Sequence, residues 1–317
     1  MQGNHMYLTP LLDTDSLGRL VEETWRMKGI LAFAYRGYGF PVRGDHYFSF
    51  TNSPYYSHRV LGAVDIYPPR GSLEVASPFT GRLIYYRVIG GEHVAGFEIG
   101  NGLYVRVLHV KPYVELGGEV EAGGILGECT HSPTFREWTD PHVHVEVREK
   151  PEFLRARGCV RLTPGRGVVE AASTALAACA SSIIEGRVAL VEKNRYILIE
   201  PPGCRGLSPV VVKVNGALGF LEGGVPHYGH GGVVVGQPGG EGEVRLQEAT
   251  IGRVVEASGS LLHFTTTGIG FKLSDGARLI GLGVYLNSRY VKAIPVDWAT
   301  VSLNEGDHVA VFPFPLY

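Results

Sequence analysis

The sequence predicts a mainly β protein: a β-sandwich or barrel domain behind an N-terminal helix, followed by a second β-rich domain. Three observations lead there. Glycine reaches 44 residues, alongside 19 prolines and 16 tyrosines, a mix that suits short strands and tight turns better than long helices. Segments such as "ASPFTGRLIYYRV", "VAGFEIGNG", "LYVRVLHV" and "HVHVEVRE" alternate or run apolar between Gly, Pro, Asn and Thr breaks. At 317 residues the chain can bury a sizeable core and is long enough for two domains.

Along the chain, residues 1–40 form an N-terminal helical segment. Within it Asp13 to Ala34 reads as one amphipathic helix, with N-cap oxygens on Asp13, Thr14, Asp15 and Ser16 and helically spaced Leu17, Leu20, Val21, Thr24 and Trp25. Met1–Met6 looks like a cloning remnant, so His5 is left aside. Residues 41–160 carry the first set of strands. Residues 161–184 form a linker in which the Ala-rich Val168–Ile184, free of Gly and Pro, reads as a helix. Residues 185–317 return to β texture, with a Gly-rich connector, "GGVPHYGHGGVVVGQPGGEGE", among the strands. A Gly-Arg-Val/Leu echo at Gly81, Gly186 and Gly252 is compatible with related β units.

Composition excludes some partners. A formal net charge of −2 gives no reason to expect nucleic acid, which favours a basic face. No apolar run approaches the ~20 residues of a membrane span. Nothing resembles a signal peptide, so a cytoplasmic setting is the default expectation. Cys129, Cys159, Cys179 and Cys204 match no zinc-ribbon or thioredoxin spacing and read as scattered thiols. Oligomeric state leaves no trace in the sequence.

The sharpest chemical signal is "DPHVHVEV", residues 140–147. Alternation along a strand puts His142 and His144 on one face, and neutral imidazole is the commonest nitrogen ligand for zinc. His46, His58, His109, His131 and Glu137 complete the nearby candidates. His227 and His230, three apart in "PHYGHGG", read as a surface turn, and His93, His263 and His308 as ordinary strand or turn residues.

The stretch from Gly62 to Val147 resembles the M23 zinc metallopeptidases, the LytM- and lysostaphin-like cell-wall endopeptidases, whose domain is of the duplicated-hybrid-motif type. "GAVDIYPPRGSLEVASPFTGRLIYY", "LHVKPYVELGGEVEAGGILGE" and "PHVHVEV" are similar to the family's three motif segments, in the right order. The resemblance implies Asp65 and His144 as metal ligands, zinc as cofactor, and a peptide or peptidoglycan-like substrate. It places His109 and His142 beside the metal-bound water, as acid/base groups or stabilisers of the oxyanion.

Two positions depart from that family. Its first ligand is a histidine four residues before the aspartate, where this chain has Leu61, and its glycine two residues on is Ala63. Leucine cannot bind zinc. His58 is seven residues before Asp65, an odd offset that puts the two on opposite strand faces and ~23 Å apart if extended. It reaches a metal only if residues 59–62 fold back, with Gly62 the residue that permits a loop or bulge.

Three readings therefore stand: a zinc endopeptidase with a substitute ligand, a degenerate M23-fold binding or scaffold protein, and a phosphotransferase IIA-like or carrier domain.

Overall fold

The computed structural model describes residues 29–176, 183–202, 207–237 and 239–316. The protein is mainly β, as predicted. Residues 13–28 of the expected N-terminal helix lie outside the described residues. From Ile30 the chain is strand: β1 (Ile30–Tyr35) pairs with β2 (Tyr38–Val42). The helical spacing is overruled here by a hairpin. Arg36 and Gly37 both take positive φ, +47° and +81°, and turn the chain back on itself.

The first half continues with β3 (Tyr47–Ser49), the one-turn helix α1 (Tyr56–Arg59), β4 (Ala63–Tyr67), β5 (Glu74–Ala76), β6 (Gly81–Ile89) and β7 (Glu92–Gly100). After them come β8 (Leu103–Leu108), β9 (Val110–Pro112), β10 (Glu119–Val120), β11 (Ile125–Cys129), β12 (Val143–Arg148) and β13 (Thr163–Pro164). Seven strands form one antiparallel sheet in the order β10-β6-β7-β8-β12-β4-β3, and β5-β11-β9 form a second. The β7–β8 connection is an Asn101-Gly102 turn with both φ positive, the conformation that matches the twist of a hairpin. Val64, Ile66, Ala95, Phe97, Val105, Val107, Val143 and Val145 bury the inner faces in one core.

Helix α2 (Arg166–Leu176) links the halves and buries Val168, Ala172 and Leu176, one side of three successive turns. Of the predicted helix over 168–184, residues 177–182 lie outside the described residues. Ile184 already belongs to strand, where it pairs with Val311.

The second half contains β14 (Ile184–Glu192), β15 (Tyr196–Glu200), β16 (Val211–Val214), β17 (Ala217–Val225), β18 (His230–Val235) and β19 (Glu243–Leu246). It ends with β20 (Ala249–Ser258), β21 (Leu261–Thr266), β22 (Ile269–Leu273), β23 (Arg278–Val284), β24 (Val291–Pro295) and β25 (His308–Pro315). These strands close into two six-stranded rings. One runs β16-β19-β20-β21-β18-β17 and closes by β16–β17. The other runs β23-β22-β25-β14-β15-β24 and closes by β23–β24. The rings share the β17–β23 pairing, and Gly252 and Gly186 lie one in each. Closure removes the free edges that so many short strands would otherwise expose.

The halves are packed on each other. Phe220, Val234, Leu261 and Leu286 enter the first core, and Phe48 bridges Leu286. Among the described residues no helix is long and apolar enough to cross a membrane. Cys129 and Cys159 are free thiols.

Candidate metal centre

Strand register creates half of the site. On the antiparallel β4–β12 pair Asp65 stands directly opposite His144, and the other neighbour of His144, on β8, is Leu108. His109 therefore leaves the end of β8 beside them, with a φ of +65°. Asp65, His109, His142 and His144 are all buried.

His58 joins them, by the fold-back that the sequence made a condition. It lies on α1, whose end is closed by two bonds: Gly62 N–H to the Ser57 carbonyl at 2.7 Å and Leu61 N–H to the His58 carbonyl at 3.1 Å. This is the paired arrangement of a Schellman motif, with Leu61 left-handed at φ +54°. The residue that reverses the chain is thus Leu61, not Gly62. Leu61 is fully buried in the first core and takes no part in the site. Gly62 is needed for closeness, since a Cβ there would lie 2.6 Å from Cys159 Sγ and 3.0 Å from the Val160 carbonyl.

Three donor atoms converge. His58 Nε2 lies 3.1 Å from Asp65 Oδ1 and 3.1 Å from His144 Nδ1, and His144 Nδ1 lies 2.9 Å from Asp65 Oδ1. The outer nitrogen of each ring is committed. His58 Nδ1–H donates to the Phe50 carbonyl at 2.7 Å, and His144 Nε2–H donates to Glu146 Oε1 at 3.0 Å. In neutral rings the inner nitrogens are then lone pairs, so two imidazoles and a carboxylate point three acceptors at one spot. Such a spot requires positive charge. Burial opposes a second proton on His144, but Asp65 and Glu146 outweigh it and raise the ring to about 9. A divalent cation meets the same demand. Four ligands around zinc at ~2.0–2.2 Å stand ~3.3–3.6 Å apart, close to the spacing found, and the donor set of two imidazoles and one carboxylate suits that ion. The residues fit zinc.

A buried second layer supports them. Glu146, two residues beyond His144 on the same strand face, accepts from Arg106 Nη1 at 3.0 Å and Arg148 Nε at 3.1 Å. Burial would raise its carboxyl, but His144, Arg106 and Arg148 bring it down to about 2. Arg148 is itself anchored on the carbonyls of Glu152, Arg155 and Arg157. Glu146 and Arg148 escaped the sequence reading, although the alternation that joined His142 to His144 extends to both. Asp65 is held well below the usual carboxylate range. Burial works against that, and His58, His142 and His144 prevail.

His109 and His142 stand next to the three donors. His142 Nε2 is 3.6 Å from Asp65 Oδ2, and its Nδ1–H donates to the Asp140 carbonyl at 2.9 Å. Burial pushes His142 down to about 4 against the pull of Asp65. His109 Nδ1–H donates to Glu92 Oε1 at 2.7 Å, and Glu92 Oε2 accepts from the Ser132 hydroxyl. Burial also lowers His109, more than Glu92 raises it. Nothing local in the sequence marks Glu92.

These groups open onto a cleft of about 220 Å³ whose walls include Asn52, Tyr55, Phe135, Arg136, Thr139 and Tyr228. Phe135, from the long segment before His142, stacks on that ring at 4.8 Å. Tyr228 comes from the second half. The loop carrying Asp140 is gripped from there too, by Lys292 Nζ at 2.6 Å, Tyr196 OH at 2.7 Å and Arg195 Nη2 at 3.0 Å.

The remaining candidates lie elsewhere. His46 is buried between Asp45 and the Ala76 N–H, which occupy both ring nitrogens. His131 and Glu137 are exposed on the covering segment. Of the pair predicted in a surface turn, His227 does lie in the turn between β17 and β18, half-buried, but His230 does not. His230 opens β18, is buried, and donates from Nε2 to the Ser53 carbonyl at 2.8 Å, while its Nδ1 lies 3.0 Å from His263. The predicted connector is in part strand, because Gly231 and Gly232 let β18 pack tightly between β17 and β21.

Residues 42–164 match the model of a domain of unknown function (DUF8155), N-terminal domain, over less than half of the chain. No curated protein sequence matches. Among solved structures, similar chains include a single-residue mutant of the catalytic domain of EnpA, a prophage-encoded M23 protein of Enterococcus faecalis. It is 23% identical, covering 32% of this chain and 74% of that one, at a TM-score of 0.25. A Pseudomonas aeruginosa protein described as a peptidase M23 is 22% identical over 43% of this chain and 57% of its own, at 0.26. Lysostaphin is 16% identical over 71% and 79%, at 0.24.

Proposed function

We propose that the chain is a zinc-dependent endopeptidase of the M23 type, acting on peptide bonds of peptidoglycan-like or glycine-rich peptides. The observation that carries this reading is the convergence of His58 Nε2, Asp65 Oδ1 and His144 Nδ1, which supplies the third ligand that Leu61 cannot. Zinc held by these three residues would supply Lewis-acid chemistry and make water a nucleophile near neutral pH.

The chain's own residues do the rest. With Nδ1–H committed to Glu92, His109 presents Nε2 as a proton acceptor. The Glu92 carboxylate then stabilises the imidazolium that forms, so His109 takes the proton from the attacking water and returns it to the leaving amine. His142, neutral and held by the Asp140 carbonyl, offers a second acceptor that orients the water. The cleft walls bind an extended peptide, with Phe135, Tyr55 and Tyr228 as apolar contacts and Asn52 and Thr139 as hydrogen-bonding groups.

Purified protein incubated with zinc and assayed on glycine-rich peptides and peptidoglycan fragments tests this reading. One zinc per chain, lost in His58→Ala and in His144→Ala, together with cleavage, supports it. Protein that stays metal-free in added zinc overturns it.

A further inference from the structure

We infer that Glu222, on β17 in the second half of the chain, is a positioning residue for the ligand His58, so that the metal centre is assembled across both halves of the protein. The inference rests on the reading of His58 as a ligand. Glu222 is fully buried, and its carboxylate faces the segment between β3 and α1. Oε2 accepts from the Ser49 hydroxyl, from Phe50 N–H at 3.0 Å and from Thr51 N–H at 3.3 Å, while Oε1 accepts from the Thr51 hydroxyl at 2.8 Å.

One peptide unit connects this clamp to the metal site. The Thr51 N–H that Glu222 receives and the Phe50 carbonyl belong to the same planar group, so holding one end aims the other. That carbonyl accepts His58 Nδ1–H at 2.7 Å. The bond sets the tautomer of the ring and turns Nε2 towards Asp65 and His144, as partners beyond the ligands commonly do for metal-binding histidines. Ser49, the first residue in the clamp, is also the strand partner of Asp65. A single carboxylate therefore steadies the backbone beside two of the three ligands.

The second half is shaped for this contact. Glu222 lies opposite Gly232 in the β17–β18 pair, and a Cβ on Gly232 would come within 2.0 Å of Glu222 Oε1. Gly223 makes the same allowance for Thr51, whose Oγ1 would lie 2.2 Å from an added Cβ. Neighbouring bonds extend the grip along the segment. Tyr285 OH accepts from the Asn52 amide, and His230 donates to the Ser53 carbonyl.

The test uses full-length protein and zinc itself, with affinity read by chelator competition and folding by thermal melting of the metal-free protein. Glu222→Ala takes the Glu222 oxygen from Phe50 N–H, leaves Thr51 N–H with only Ser49 Oγ at 3.2 Å, frees the Ser49 hydroxyl from its anchor, and is expected to weaken zinc binding ~10–100-fold. Glu222→Gln keeps an oxygen for both N–H groups and can donate to Thr51 Oγ1, so it should restore affinity to within a few-fold. Asn287→Ala is the control. It removes bonds to the Gly44 and His46 carbonyls across the same junction but away from Phe50, and should bind zinc like wild type. If Glu222→Ala does not fold, Glu222→Asp, which withdraws the carboxylate by one methylene, takes its place with the same expected loss. Wild-type affinity in the Ala or Asp variant overturns the role of Glu222, as does an equal loss in Asn287→Ala. A wild-type protein that binds no zinc overturns instead the metal reading beneath it.

Discussion

His58 and Asp65 are seven residues apart in the chain, yet His58 Nε2 and Asp65 Oδ1 lie 3.1 Å apart. A one-turn helix and a left-handed Leu61 remove the ~23 Å that an extended path would impose. Leu61, at the position where the M23 pattern has its first histidine, is a core residue here, and His58 reaches Asp65 from one helical turn earlier.

Restoring a histidine at that position should therefore fail. Leu61→His places a polar ring in a fully buried apolar site and is expected to cost about 3 kcal/mol or more. The double variant His58→Ala, Leu61→His should regain no zinc. Denaturant unfolding and metal analysis check both statements, and zinc recovered in the double variant would contradict the geometry.

Binding and turnover should separate at Glu92. Glu92→Gln leaves the three ligands untouched but removes the charge that stabilises protonated His109. Turnover should fall ~10–100-fold with zinc affinity unchanged. Peptide-cleavage kinetics beside chelator competition give the two numbers.

Metal removal should lower stability. Zinc held by His58, Asp65 and His144 would tie α1, β4 and β12 together, so saturation at 100–1,000 times its dissociation constant should add about 3–4 kcal/mol. Chelated protein should melt lower and recover on adding zinc, while His58→Ala should show little of this response.

Acid should weaken the junction between the halves at Asp140. Burial would raise this carboxyl, but Lys292, Tyr196 and Arg195 hold it below its ordinary value. A depressed folded-state pKa adds stability that is present above the unfolded value of about 3.9 and disappears as pH falls through the folded one. Asp140→Asn should accordingly be less stable than wild type near neutrality, by about 3–5 kcal/mol because it leaves buried Lys292 unpaired. The gap should narrow below about pH 4. Urea melts at pH 7 and pH 3 measure it, and a gap that widens in acid would reverse the sign.

Part of the candidate site is legible in the sequence, because strand alternation is a short-range rule. Two-residue spacing in "HVHVEVR" puts His142 and His144 together, and the same rule reaches Glu146 and Arg148 once it is carried two and four residues further. Asp65 and His109 come instead from the resemblance to the M23 motif segments, and the pairing of β12 with β4 and β8 is what sets them beside His144. The strand texture likewise predicts a mainly β chain. It does not show that the second half closes into two rings, since closure depends on pairings between β16 and β17 and between β23 and β24.

Tertiary structure decided the rest. The helical spacing before Tyr35 gave way at Ile30 to strand, with β1 hydrogen-bonded on one edge to its hairpin partner β2 and on the other to β13. Leu61 bends the chain through a conformation that costs a leucine about 1–2 kcal/mol, so no glycine announces the turn that brings His58 home. Glu222, Lys292 and Tyr228 act on the site from more than 80 residues away, where no local periodicity could link them to it. Residue types and spacing determined which groups this protein can bring to a metal. Whether the third one arrives depends on a left-handed residue and a buried carboxylate, and both are set by packing between distant parts of the chain.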